Sequence, residues 1–261
     1  RVFAGALQNR DPGALRTAKP RPHLRRSART GRPVDGAGVP QRIGFVGESR
    51  YGLLNLLYRK APGDDMPGHY ARLSEAPGKA PPLPLPAAKL RFAAHEVAAT
   101  RRKFGVPDDY AVLCPGAEYG PAKRWPYFDA LSRELPIRKV ILGSSRDADA
   151  AAGLEGDKLV GKTTLDEAID LIAGARYVVT NDSGLMHVAA ALAKPLVALY
   201  GSSSPDFTPP LSATARIARL GLSCSPCFQR ECPLGHLDCL RKLAPERVLE
   251  LLDPCLTPRR A

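Results

Sequence analysis

Between residues 106 and 220, short apolar segments alternate with longer segments whose apolar residues have helical spacing. The short segments are YAVLC ending at Cys114, RKVILG ending at Gly143, RYVVT ending at Thr180 and PLVALY ending at Tyr200. Such alternation is typical of βαβ units, in which parallel strands form one sheet covered by helices on both faces. The pattern therefore predicts an α/β protein with a Rossmann-like domain.

The helical spacing predicts five helices, with Thr163 or Thr164 as the N-cap of the third. Trp125, the only tryptophan in the chain, is expected to anchor the core. The predicted helices are Lys89–Phe104, Trp125–Leu135, Thr164–Ala175, Gly184–Leu192 and Pro245–Leu252.

The first part of the chain has a different composition. Residues 1–42 contain ten Lys or Arg and two Asp, a large share of the net charge of +12. Residues 1–38 lack periodicity, which predicts a disordered basic tail; a nucleic-acid-binding arm and an out-of-frame translation are the alternatives. Because the sequence opens with Arg1, we expect a fragment. Residues 61–86 are proline-rich and predict an extended linker.

No segment approaches the roughly 18 consecutive apolar residues of a membrane-spanning helix, and no signal peptide is visible. This predicts a cytosolic protein.

The segment TNDSGLMHVAAAL, at Thr180–Leu192, joins a predicted strand to a predicted helix. Asp182 or Ser183 can cap that helix, Gly184 allows close backbone approach, and His187 lies one turn further along. The N–H groups at a helix start form an anion site suited to a diphosphate. The alternative is an ordinary capped helix with His187 bonded internally.

Three further loops follow predicted strands and should meet at the same sheet edge. The segment CPGAEYGPAKRWP places the cations Lys123 and Arg124 before a helix, where they can neutralise phosphate or simply be solvated. In LGSSRDAD, Asp147 can bind a ribose hydroxyl or cap a helix. The segment LYGSSSPDFTPP supplies hydroxyl and backbone donors.

Together these motifs resemble those of the ADP-heptose:lipopolysaccharide heptosyltransferases, glycosyltransferase family 9, and in particular its heptosyltransferase II branch. The resemblance covers roughly residues 39–252 and implies an inverting GT-B transferase, in which two Rossmann-like domains bind donor and acceptor. After the disordered tail predicted at 1–38, it implies an acceptor-domain remnant and linker at 39–86 and a nucleotide-sugar-binding domain at 87–261.

The resemblance also implies roles for individual residues. Lys123 would contact the donor diphosphate and stabilise the leaving group. The remaining substrate-binding residues would be Asp182, Ser183, Gly184 and His187 at the diphosphate-heptose, and Ser144, Asp147, Gly201, Ser202 and Ser203 on the adenosine side.

The implied partners are an ADP-heptose donor and a lipid A-core acceptor at the inner face of the inner membrane, with no cofactor, no nucleic acid and a monomeric enzyme. The implied location is cytoplasmic and peripheral to that membrane. The family's N-terminal strand and loop, which carry the general base, have no counterpart here. We therefore expect an N-terminally truncated chain that does not transfer heptose.

Four cysteines have the spacing C-x2-C-x4-C-x6-C, with His236 between the last two. Reduced structural thiols, a zinc or other metal site, and a disulfide are the three alternatives for this cluster. Cys114 and Cys255 are expected to be buried apolar residues. The four cysteines are Cys224, Cys227, Cys232 and Cys239.

Two other functions are compatible with the residues. The basic tail would suit a non-enzymatic protein that binds polyanions such as nucleic acid or anionic lipid. A GT-B transferase that uses another nucleotide sugar would present a similar sheet edge.

Overall fold

The computed structural model describes residues 39–47, 52–61 and 63–256. The basic segment 1–38 lies outside these residues. Contacts divide the chain into two units, one ending at Pro86 and the other beginning at Ala87.

The first unit contains two short parallel strands, β1 (Ile43–Phe45) and β2 (Leu56–Tyr58), and one helix, α1 (Met66–Ala71), which continues into a 3-10 turn. This helix contradicts the prediction of an extended linker throughout residues 61–86. The Asp65 side chain accepts a hydrogen bond from the Gly68 amide at 2.7 Å, and Pro67 occupies the first turn. Both features favour helix initiation, so local capping outweighs the proline content here.

The second unit is built on a six-stranded sheet in which every neighbouring pair of strands is parallel. Its strand order is β5-β4-β3-β6-β7-β8, the doubly wound order of a Rossmann-like fold. The four predicted strands are present, and β5 and β8 are additional. The strands are β3 (Tyr110–Cys114), β4 (Arg138–Ile141), β5 (Asp157–Lys158), β6 (Val178–Asn181), β7 (Leu196–Leu199) and β8 (Ala215–Ala218).

All five predicted helices are present, with shifted ends in several cases. The largest shift is at the first, which begins at Ala94 instead of Lys89, because the Leu90 amide donates to the Ala191 carbonyl at 2.9 Å. The helices are α2 (Ala94–Phe104), α3 (Phe128–Glu134), α4 (Ala148–Ala151), α5 (Leu165–Gly174), α6 (Gly184–Ala191), α7 (Asp238–Arg241) and α8 (Pro245–Leu256).

Side chains alternate between two apolar layers along each strand. In β3, Val112 and Cys114 pack with α2, α5 and α6, whereas Leu113 packs with α3 and α8 on the opposite face. Trp125 belongs to the second layer, where it is 3% exposed and its indole N–H donates to the Leu243 carbonyl at 2.8 Å. Its predicted role as a core anchor is confirmed.

Capping fixes where α5 begins. The Thr164 hydroxyl accepts from the Glu167 amide, and the Glu167 carboxylate accepts from the Thr164 amide, so the predicted N-cap is confirmed at Thr164. Among the described residues, no helix combines the length and apolar character that crossing a membrane requires.

Candidate functional site

The order of the strands determines where a ligand can bind. The chain winds outwards from β3 through β4 to β5, then returns to the other side of β3 to form β6. The loops that follow β3 and β6 therefore run in opposite directions from the carboxyl ends of these strands. The crevice between the two loops is the usual ligand position in such sheets.

A cavity of about 370 Å³ lies at this edge. That volume is within the roughly 300–1,000 Å³ of small-molecule sites. Its walls come from the loops after β3 and β4 and from the first turns of α5 and α6. The lining residues are Cys114, Gly116, Ala117, Glu118, Leu142, Gly143, Ser144, Asp147, Thr163, Thr164, Leu165, Ala168, Ser183, Gly184, Leu185 and Val188.

The start of α6 presents backbone donors at the cavity. Ser183 occupies the N-cap position, but its side chain makes no capping bond and instead lies 3.3 Å from the Thr180 hydroxyl. The first turn contains no acidic residue, and a Cβ built on Gly184 would meet nothing within 4 Å. Open space, backbone N–H groups and the positive helix end together suit an anion.

Lys123 and Asp182 form a buried ion pair beside this helix start. The Lys123 ammonium donates to the Asp182 carboxylate at 2.5 Å, and the two side chains are 13% and 4% exposed. The Thr208 hydroxyl donates to the same carboxylate oxygen at 3.1 Å, and the Tyr119 ring lies 4.8 Å from the ammonium. The Asp182 carboxylate is thus bonded to protein donors and holds Lys123 in place.

His187 lies one turn into α6, where its side chain is exposed. Partial desolvation by the surrounding protein lowers its pKa below the ordinary histidine value, Lys123 lowers it further, and Asp182 opposes the shift. The imidazole is therefore within the electrostatic range of the ion pair.

Asp147 closes a local turn on the opposite wall. Its carboxylate accepts from the amide of Ser144 at 2.9 Å and from the hydroxyl at 2.8 Å, and Arg124 lies 3.6 Å away. Gly116 allows this arrangement, since a Cβ there would lie 2.2–2.6 Å from the Asp147 carboxyl atoms. The Asp-X-Asp spacing with Asp149, overlooked in the sequence, does not form a common site, because Asp149 is exposed on α4.

Gly201, Ser202 and Ser203, in the loop after β7, are not among the residues that line the 370 Å³ cavity. Gly201, Ser202 and Ser203 are buried, and the Phe228 amide donates to the Ser202 carbonyl at 2.7 Å. The hydroxyls of Ser202 and Ser203 are buried without a hydrogen-bond partner. Ser202 instead lines a smaller cavity of about 170 Å³, together with the four clustered cysteines.

These four cysteines are free thiols, as is the buried Cys114. The disulfide alternative is therefore wrong for them. Within the described part of the chain, no three His, Cys, Asp or Glu side chains are placed to hold a metal ion. Burial raises the pKa of Cys114 to about 12, in keeping with an apolar core residue. The Cys255 side chain lies outside the described part.

Several lining residues were not identified from the sequence. Thr163 precedes α5, Leu165 and Ala168 lie at its start, and Leu165 is 54% exposed although it is apolar. These residues follow β5 in the chain. That strand has only two residues and is too short and too polar to be recognised from the sequence. Glu118 also lines the cavity and was not considered.

Comparison with known proteins shows the family of the chain. The sequence profile of glycosyltransferase family 9 (heptosyltransferase) matches residues 34–238. The chain belongs to this family. It is 40% identical over 249 residues to lipopolysaccharide heptosyltransferase 2 of Escherichia coli strain K12, covering 86% of this chain and 72% of that relative. Lipooligosaccharide heptosyltransferase 2 of Haemophilus ducreyi is also 40% identical, covering 84% of this chain and 71% of that protein.

Solved structures of the family give the same result. The structure of E. coli ADP-heptose LPS heptosyltransferase II has a TM-score of 0.75 and 40% identity, covering 85% of this chain and 72% of that one. A family 9 glycosyltransferase from Veillonella parvula, at 21% identity and a TM-score of 0.64, shares the fold. The predicted family, the α/β class of GT-B type and the assignment as a glycosyltransferase are confirmed.

Proposed function

We propose that this family 9 chain binds the ADP part of ADP-heptose in the 370 Å³ cavity and so provides the donor site of a reaction that moves heptose to the inner-core heptose of lipopolysaccharide. The observation that carries the proposal is the start of α6, where Ser183 and Gly184 border the cavity without a side-chain cap. Leu165, Leu185 and Val188 provide an apolar surface for the adenine of ADP, and Ser144 adds a hydroxyl to the cavity wall. The relatives named as heptosyltransferase 2 support the choice of sugar.

In the proposed reaction, an acceptor hydroxyl oxygen attacks the anomeric carbon from the face opposite the diphosphate. The bond from that carbon to the diphosphate oxygen breaks, its electron pair stays on ADP, and a base removes the hydroxyl proton. Negative charge therefore grows on the diphosphate. Lys123, fixed by Asp182, and the N–H groups of α6 are the donors that would stabilise it. An ammonium has three N–H donors, so its bond to Asp182 leaves two for the leaving group.

Calorimetric titration with ADP, UDP and adenosine tests the donor assignment. We expect ADP to bind most tightly, because adenosine lacks the diphosphate and UDP lacks the purine. Equal or tighter binding of UDP would indicate another nucleotide sugar. No binding of any of the three would show that the cavity is not the donor site.

We propose further that this chain binds ADP but does not itself transfer heptose. Asp147 and Asp182, the acidic residues considered from the sequence, are bonded to Ser144 and Lys123 respectively. Both carboxylates are therefore already bonded to protein donors. Assay of this chain beside the E. coli relative, with ADP-heptose and a truncated core acceptor, decides the point. Transfer that is lost in Glu118→Gln would instead identify Glu118 as the base.

The proposed acceptor is lipid-linked, which would place the enzyme at the cytoplasmic face of the inner membrane as a monomer. Co-sedimentation with vesicles that contain lipid A-core, compared with vesicles that lack it, tests the membrane association. Light scattering should give a mass near 28.0 kDa. A dimer mass, or equal recovery with both vesicle types, would contradict this part of the proposal.

A further inference from the structure

The side chain of Asn181 joins two points of the loop that carries Lys123. Asn181 is the last residue of β6 and is fully buried. Its amide nitrogen donates to the Pro115 carbonyl at 2.7 Å, and its amide oxygen accepts from the Trp125 amide at 3.1 Å. Pro115 is the first residue after β3, and Trp125 directly follows the Lys-Arg pair. One carboxamide thus closes the loop 115–125 at both ends.

The rest of this loop is held separately. The Ala122 amide donates to the Arg230 carbonyl at 3.0 Å, and the Tyr119 hydroxyl donates to the Phe228 carbonyl at 2.5 Å. These bonds hold the middle of the loop to the segment 228–230. Asn181 instead ties its ends to the strand that leads into α6, and the next residue, Asp182, receives the ammonium of Lys123.

We propose that Asn181 is a positioning residue for the leaving-group cation. By fixing both ends of the loop against β6, it sets the distance between Lys123 and the start of α6. These are the two groups proposed to donate to the same diphosphate. An asparagine suits this position because the loop presents a carbonyl at one end and an N–H at the other. Only a side chain with both a donor and an acceptor can bind both. This inference rests on the proposed function.

The test compares Asn181→Leu with Thr100→Val. Each variant keeps the branching of the side chain and removes its hydrogen bonding: two bonds at Asn181, and one at Thr100, whose hydroxyl donates to Asp170 at 2.7 Å between α2 and α5. Both should lower thermal stability. We expect Asn181→Leu to weaken ADP by about tenfold or more while adenosine changes little, and Thr100→Val to leave both affinities unchanged. Equal effects of the two variants on ADP, or equal loss of ADP and adenosine in Asn181→Leu, would overturn the proposal.

A second readout does not depend on the ligand. Trp125 is the only tryptophan, so its fluorescence and the exchange of amides 116–124 report the loop directly. Both should change in Asn181→Leu and not in Thr100→Val. If the unaltered chain bound no ADP, the proposed function would fail, and unchanged amide exchange in Asn181→Leu would separately overturn the loop closure. If Asn181→Leu does not fold, Asn181→Ser, whose short side chain cannot reach both ends, is judged by the same criteria.

Discussion

The ammonium of Lys123 lies 2.5 Å from the carboxylate of Asp182, although the two residues follow different strands and are 59 positions apart. The pair is nearly buried, so each charge depends on the other. It also joins the two loops that diverge at the centre of the sheet. The cation proposed for the leaving group is therefore held by the segment that begins the proposed diphosphate site.

Replacing Lys123 with Ala should weaken ADP more than adenosine, by about 1.5–3 kcal/mol, because a charge-assisted bond to the diphosphate is lost. Calorimetric titration of both ligands measures the difference. Lys103→Ala is the matched control, since Lys103 is 60% exposed and pairs with Glu167 on the surface. Equal weakening of ADP and adenosine by Lys123→Ala would show that the residue acts only through the fold.

Gly184→Val should abolish ADP binding while the thermal unfolding midpoint changes little. The new side chain enters open space at the cavity and meets no protein atom at its Cβ. Gly153→Val is the control, because the nearest atom to a Cβ there is 3.9 Å away and Gly153 is absent from the cavity wall. Unchanged ADP affinity in Gly184→Val would remove this helix start from the site.

Lowering the pH should strengthen ADP binding through His187. The pKa of this group is lowered in the free protein, so the imidazole is neutral near pH 7. A diphosphate beside it favours the charged form, and proton uptake then accompanies binding as the pH falls through and below the ordinary histidine value. Titrations from about pH 8 to about pH 5.5 should show this gain, and His187→Gln should lack it. The same pH dependence in both proteins would place His187 away from the diphosphate.

Gly116→Ala should lower the free energy of unfolding by about 1–3 kcal/mol, because the added methyl overlaps the Asp147 carboxylate. Chemical denaturation measures this loss. Gly184→Ala serves as a comparison, since its methyl meets nothing. Adding Asp147→Ser to Gly116→Ala should recover part of the loss by shortening the side chain in conflict. No recovery would mean that the strain lies elsewhere in the loop.

The sequence predicted the central strands and most helices because those segments have strong local signals. Val112 and Leu113 lie in a continuous apolar strand, and Thr164 and Glu167 form a recognisable capping box. Strands that are short or polar were not predicted. The two residues of β5 carry no apolar pattern, so the cavity wall at Thr163 and Leu165 was missed.

Tertiary pairing was also beyond the reach of the sequence. Lys123, Asp182 and Gly184 were each identified as candidates, but their local patterns do not reveal that Asp182 accepts a hydrogen bond from Lys123. Ser202 follows a strand at the correct edge, yet the segment around Phe228 covers it. Contacts between residues far apart in the sequence decide which segment covers a loop. The periodicity of the sequence does not predict such contacts.

The central pairing of β3 with β6 has a consequence for how the chain acquires its site. Val112 lies opposite Val178, so the two halves of the sheet meet only after the intervening residues have been brought round. A form of this unit in which either half is unfolded has no crevice between these strands. A nucleotide bound as proposed would therefore stabilise only the completed sheet, and its effect on unfolding would report assembly of the two halves.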